Sequence, residues 1–211
     1  MKNLILTFLI LAMTSMHCYG QEYTYEEKTI AGIFTAEGKT KDEIFSSINK
    51  WISLNYNSAQ DAVQFNDKES GNIIVKGINK AIYKNVTEEY ITVKINHTLE
   101  INVKNNRYRL IYTSTDVMDL KPVAGDNLEQ QYDLIFNMID FTGLKQDKVD
   151  NYDNYVEELW KNELVGKRKR AKLKEQTRPA FEKMNEELIQ SIKLTMLSAQ
   201  KTVKSIKKDD W

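Results

Sequence analysis

The sequence predicts an α+β fold: an antiparallel sheet in the order β-α-β-β-β-β, packed by one amphipathic helix and by a long C-terminal helix. Three observations carry that prediction. In YITVKINHTLEINVK, residues 90–104, Ile91, Val93, Ile95, Leu99, Ile101 and Val103 alternate with Thr92, Lys94, Asn96, Thr98, Glu100 and Asn102. Such alternation describes a strand with one face buried and the other wet. In residues 42–56, Ile44, Phe45, Ile48, Trp51 and Ile52 recur on one face of a helix, with a period of about 3.6 residues. Near the C-terminus Phe181, Met184, Leu188, Ile192, Met196, Ala199, Val203 and Ile206 form a continuous apolar stripe. Both helical stripes need an apolar surface, and the sheet supplies one.

Each element has its own local signal. After a polar lead, KTIAGIFTAEG (28–38) reads as a strand. The helix that follows opens on Thr40 with Glu43 three residues on, a capping box. Strand-like runs at 62–65 and 72–78 flank NDKESG (66–71), a hairpin loop in which Gly71 supplies a positive φ. Asn105-Asn106 is a two-residue turn, because asparagine tolerates positive φ. If Lys104 pairs with Arg107, then Val103 meets Tyr108, Ile101 meets Leu110 and Leu99 meets Tyr112, all on one face.

Beyond residue 117 the pattern weakens. LEQQYDLIFNMIDF (128–141), with Tyr132, Ile135, Phe136 and Ile139 on one side, and YVEELWKNELV (155–165) read as short helices. The last helix is read from residue 177, with Pro179 near its start, where a missing N–H costs little.

The first 20 residues read as a signal peptide. Lys2 precedes the apolar LILTFLILAM (4–13), and Gly20 precedes Gln21 at the expected cleavage point. The apolar run is too short for an ordinary membrane-spanning helix. His17 before Cys18 argues against a lipoprotein, since lipid attachment wants a small residue there. The expected division is therefore a signal peptide at 1–20, a sheet domain at 21–117, an acidic then basic linker at 118–176, and a helix at 177–211. The expected destination is the periplasm or the extracellular space. The single cysteine leaves with the signal, so the mature chain has no thiol and no cysteine ligand.

Lys and Arg total 30 and Asp and Glu total 30, so no global field draws the chain to nucleic acid. The most distinctive charge feature is Lys167-Arg168-Lys169-Arg170, continued by Lys172 and Lys174. It reads either as a solvated helix or linker, or as a contact for an anionic membrane surface or acidic partner. The acidic DKVDNYDNYVEE (147–158) just upstream is an alternative partner within the chain.

Signals for chemistry are sparse. His97 is the one histidine outside the leader. The register places it on the inner face near the end of the sheet, opposite Ser114, as a packed and hydrogen-bonded side chain. One histidine and no cysteine do not make a standard zinc site. There is no nucleophile elbow and no glycine-rich phosphate loop. Asp67 and Glu69 lack the further ligands of a calcium loop. No catalytic, cofactor-binding or metal-binding residue is assigned, and no cofactor is expected. Asn85-Val86-Thr87 and Asn96-His97-Thr98 match glycosylation sequons and read as chance. Composition alone leaves open a hydrolase built on two carboxylates, although no pocket for one is expected. A lipid or small-ligand carrier using the space between helix and sheet is a further alternative.

IFSSINKWISLNY (44–56), FNDKESGNIIVKG (65–77) and the long hairpin resemble the DUF4468 family, exported bacterial proteins mostly from Bacteroidetes with a TBP-like fold. The similarity covers about residues 28–115, with Trp51 and the loop 67–71 as its most specific parts. The resemblance implies the fold, a bacterial source and export; it supplies no catalytic residue. TATA-binding proteins grip DNA with a basic sheet face. The corresponding face here, with Thr92, Lys94, Asn96, Thr98, Glu100 and Asn102, is mixed, so no nucleic-acid partner is expected. The expected function is non-enzymatic binding of a protein or envelope component by an exported, envelope-associated chain.

Overall fold

The structure, a computed structural model, describes residues 22–85, 89–118, 128–162 and 165–205. The expected signal peptide, Cys18 and the terminal KKDDW lie outside these. The elements are β1 (Glu22–Tyr25), β2 (Thr29–Thr35), α1 (Lys41–Asn55), α2 (Ala59–Ala62), β3 (Val63–Asp67), β4 (Asn72–Lys84), β5 (Tyr90–Lys104), β6 (Arg107–Met118), α3 (Leu128–Asn137), α4 (Gln146–Asn162) and α5 (Lys167–Lys204). The strands form one sheet in the order β1-β2-β6-β5-β4-β3, and every neighbouring pair is antiparallel.

The hairpin register matches the expectation residue for residue. Lys104 faces Arg107, Val103 faces Tyr108, Ile101 faces Leu110 and Leu99 faces Tyr112. Asn106 takes a φ of 63° at the turn. A bulge then interrupts β6: Ser114 pairs with His97 and Asp116 with Asn96, leaving Thr115 unpaired. The bulge changes the parity of the strand. Val117 therefore turns into the core while Asp116 stays exposed.

The hairpin tip is tied to two other chain segments. Asn105 Oδ1 accepts from the Lys41 N–H at 2.8 Å, and Asn106 Oδ1 accepts from the Gly38 N–H at 2.9 Å. On the other side the Gly71 carbonyl accepts from the Val103 N–H at 2.8 Å. The capping box forms as expected: Thr40 Oγ1 accepts from the Glu43 N–H, and Glu43 Oε2 accepts from the Thr40 N–H. The stripe of α1 and the middle and end of α5 bury against the inner sheet face, and Trp51, Phe181, Met184 and Leu188 are almost wholly enclosed.

The structure corrects several boundaries. The polar lead contains a strand, β1, paired with β2. β4 continues past Ile78 to Lys84, so His97 sits well inside the sheet and not near its end. α4 starts at Gln146, not near Tyr155, because Val149, Tyr152 and Val156 already form an inward stripe. The segment read as a linker is part of the core: Ile135, Met138, Ile139, Phe141, Leu144 and Val149 are all buried in it. α5 starts at Lys167, not at 177, and Pro179 lies inside it. The early turns of α5 have few apolar residues, but they are held from outside. Lys174 pairs with Glu157, Thr177 donates to Asp153 at 2.6 Å, and Arg178 donates to the Leu144 carbonyl at 2.7 Å.

Lys28 joins α3 to the sheet. Its Nζ donates to the Phe136 and Ile139 carbonyls at 2.8 and 2.6 Å, satisfying the C-terminal end of α3. Burial, with Lys148 nearby, lowers its pKa to about 8, against the pull of Glu27 and Asp140. Asn185 fixes the next residues, donating to the Met138 carbonyl and accepting from the Asp140 N–H.

Two stability predictions follow from these ties. Gly71 has a φ of +75°, and a Cβ there would lie 2.5 Å from the Val103 carbonyl oxygen. Gly71→Ala should therefore cost more than the roughly 1–3 kcal/mol of backbone strain alone. Gly38 has a φ of +72° with nothing near its Cβ position, and Gly38→Ala should cost about 1 kcal/mol. Equal losses for the two in urea denaturation would refute the close-approach argument. Lys28→Met should lose roughly 1–3 kcal/mol through the abandoned carbonyls, and hydrogen exchange should show the loss first in α3.

Candidate functional site

Between the end of α1, α2, the middle of β4 and the outer half of α5 lies a groove of about 780 Å³. The sequence offered a space between helix and sheet only as an alternative, for a carrier; this groove arises from how the elements end. α1 stops at Asn55, and Tyr56 to Ser58 lead away to α2 and form one wall. Lys76 to Asn79 of β4 form the facing wall, and Ser191, Leu194, Thr195 and Ser198 of α5 form a third. Trp51 ties α1 to α5 by donating its indole N–H to Ser198 Oγ at 2.9 Å, and packs edge-on against Tyr56.

The floor is polar where the rest of the inner face is apolar. Gly77, His97 and Ser114 lie side by side across β4, β5 and β6, and Asn79 is in the adjacent row. His97 is 3 % exposed and stacks on Tyr112 at 4.5 Å. It was expected to be packed and hydrogen-bonded; it is packed, but among the described residues neither ring nitrogen has a hydrogen-bond partner. Asn79 is 8 % exposed, and its Nδ2 also has none. Gly77 makes room for the arrangement: a Cβ there would lie 2.7 Å from His97 Cε1 and 2.8 Å from Tyr56 Cε1.

Burial sets the ionisation of this floor. Desolvation pulls the His97 pKa down to about 4, and the Ile95 backbone opposes the shift without completing a hydrogen bond. His97 is thus a neutral imidazole at neutral pH, with one donor and one acceptor. Desolvation pushes Tyr56 up to about 12. The floor of the groove therefore presents uncharged donors and acceptors, suited to hydrogen-bonding a neutral polar group, while Lys76 and Asp61 place charge on its walls.

The residues singled out from sequence do not converge here. Lys167, Arg168 and Lys169 are exposed on the first turn of α5, far along the helix from Ser191. Arg170 is half-buried, its guanidinium donating to the Val165 carbonyl while Nε has no partner. The Lys174–Glu157 pair realises the internal partnership that the acidic upstream segment offered. Asp67 is spent on its own turn: Oδ1 accepts from the Glu69 N–H at 2.9 Å, and the Gly71 N–H donates to its carbonyl. Among the described residues no group of His, Cys, Asp and Glu could hold a metal, and no helix is long and apolar enough to cross a membrane.

Carboxylates do meet around Lys148, which bonds Glu27 at 2.8 Å and Asp140 at 2.9 Å. Lys148 holds Glu27 below its ordinary range. Burial raises Asp140, but Thr142 and Lys148 outweigh it. Both are therefore ionised at neutral pH, whereas a general acid needs a raised pKa. Asp153 is raised by burial, yet it faces Thr177 between α4 and α5, outside the groove.

A six-stranded antiparallel sheet with helices on one face defines an α+β protein. Residues 31–116 match the family described as a domain of unknown function (DUF4468) with TBP-like fold. Among solved structures, a DUF4468 family protein from Bacteroides ovatus is similar at 12% identity, over 90% of this chain and 94% of that one, with a TM-score of 0.48. A TBP-like protein from Parabacteroides distasonis is similar at 19% identity, with a TM-score of 0.38. That match covers 46% of this chain and 60% of the other, less than two thirds of its length. No curated protein matches the chain significantly.

The buried imidazole makes stability depend on pH. The folded pKa of about 4 lies below the ordinary 6.5, so the unfolded chain takes the proton first. The His97 contribution is complete above pH 6.5, falls as pH drops toward 4, and is constant below that. It should amount to about 3 kcal/mol. In urea titrations from pH 7 to 4, His97→Gln should show a shallower loss than wild type. Parallel curves would refute the assignment.

Proposed function

We propose that this chain is a non-enzymatic binding protein of the cell envelope that holds part of its partner in the groove beside β4. One observation carries the reading: an open groove ends on buried polar atoms, those of His97 and Asn79 Nδ2, that have no hydrogen-bond partner among the described residues. Buried polar groups are normally satisfied, and an unmade hydrogen bond costs about 1–3 kcal/mol. A ligand group that reaches them recovers that cost. Export is part of the proposal and is supported by the charged, apolar and small-residue pattern of residues 1–20. The exposed Lys167, Arg168 and Lys169 offer a peripheral contact to an anionic surface.

A second reading, a carrier of small amphiphiles, is favoured by the groove rim. Leu194 is 66 % and Ile78 52 % exposed there, above a polar floor. A ligand with an uncharged polar head and an apolar body would match both parts.

Screening uncharged polar fragments by NMR should shift His97, Asn79 and the Trp51 indole together, and Asn79→Ala should weaken that response. Fragments that bind only elsewhere would refute the groove, and hydrolytic turnover abolished by one carboxylate substitution would refute the non-enzymatic reading. Native mass spectrometry of the purified chain should find a bound amphiphile if the carrier reading holds and none if it fails.

A further inference from the structure

β4 is far longer than its neighbour on one side. β3 pairs with it only between Asn72 and Val75, while β5 pairs with it from Asn72 to Lys84. Residues 76–84 are thus an open sheet edge, and among the described residues they make no backbone hydrogen bond beyond the β5 ladder. The groove begins where β3 stops: Lys76 to Asn79 are its β4 wall. We infer that this edge is completed by an extended acidic segment of a partner protein, added as a strand along residues 76–84. The inference rests on the binding role proposed for the groove and names the chemistry of its occupant.

The two faces of the edge specify the segment. Lys76, Ile78, Lys80, Ile82 and Lys84 share the outer face and are all exposed. A strand beside them gains most from acidic residues opposite the lysines and apolar ones opposite the isoleucines. Lysine on an edge strand commonly serves only to keep sheets apart. Here the isoleucines between the lysines are 52 % and 58 % exposed, and a purely protective edge would not carry them. On the inner face the added side chains meet Gly77, Asn79 and the neutral His97, with Asp61 on the opposite wall. Inward positions therefore favour small uncharged polar residues. Strand addition of this kind takes affinity from the main chain and specificity from alternate side chains. A second copy of this chain fits poorly, because antiparallel pairing centred on Lys80 sets lysine against lysine.

The probe is a nonapeptide capped at both ends, Glu-Thr-Val-Thr-Glu-Thr-Val-Thr-Glu, mixed with the mature chain. Amide hydrogen exchange should slow at alternate residues within 76–84 and leave β1 unchanged. Methylating the peptide nitrogens of one alternate set should abolish binding, and methylating the other set should not. Lys80→Glu should weaken binding at least about tenfold. A peptide with lysine in place of glutamate should bind only the triple variant Lys76→Glu, Lys80→Glu, Lys84→Glu. The inference is overturned if both methylated peptides bind equally, if protection falls outside 76–84, or if the chain protects this edge by forming a dimer. If uncharged fragments shift His97 and Asn79 but the peptide does not bind, the acidic strand is wrong and the groove reading stands. If neither binds, both fall.

Discussion

Lys104 facing Arg107 across a two-residue turn commits the whole β5–β6 ladder, and with it the inner face of the sheet. A slip of one residue would carry Leu99, Ile101 and Val103 into water and Thr98, Glu100 and Asn102 into the core. Three other parts of the chain are anchored to that tip. The N-terminus of α1 meets Asn105, the end of the β2 loop meets Asn106, and the β3–β4 loop meets Val103 through Gly71. The helices then have only one apolar surface to cover. The Thr115 bulge extends this surface by turning Val117 inward once the even positions of β6 have been used.

Across that apolar surface runs one polar seam, Gly77, His97 and Ser114, with Asn79 beside it. Leucine or valine in these places would pack more cheaply than unsatisfied polar atoms. The roof repeats the exception. Over the groove α5 presents Ser191, Thr195 and Ser198 on the flank of its buried stripe, which runs on through Ile192, Met196 and Ala199. Polar residues on both sides of one interface, from segments about a hundred residues apart in sequence, are what distinguishes this groove from a packing fault.

The parts of the fold that were legible in the sequence are those set by neighbours in the chain. Strict alternation and a short turn determine the β5–β6 register, and Thr40 with Glu43 determines where α1 begins. Boundaries set by distant contacts were not legible. α5 begins at Lys167 because Glu157, Asp153 and Leu144 hold turns whose own residues are mostly polar. α4 looked like an acidic linker because its buried positions, Val149, Tyr152 and Val156, are sparse among charges. The groove was hidden for the same reason: it depends on α5 returning to a sheet written far earlier. One local sign of it exists. Along the inner face of β4, Ile73, Val75, Ala81 and Tyr83 are interrupted by Gly77 and Asn79, in register with the only histidine of the sheet.

The unequal lengths of β3 and β4 also divide the sheet in time. Near Asn72 to Val75 the strand is paired on both sides, and the hairpin tip is pinned by side chains. Beyond Lys76 its backbone is paired by β5 alone, although Ala81 and Tyr83 are buried and Tyr83 packs on Phe181 of α5. Opening free energies follow such differences in support, with the least enclosed ladder exchanging first. The outward-facing amides of residues 76–84 are therefore the first of this ladder to exchange, while the packing of Tyr83 on Phe181 holds the ribbon itself. The polar seam lies beside this one-sided edge, so whatever fills the groove also sets how fast those amides exchange.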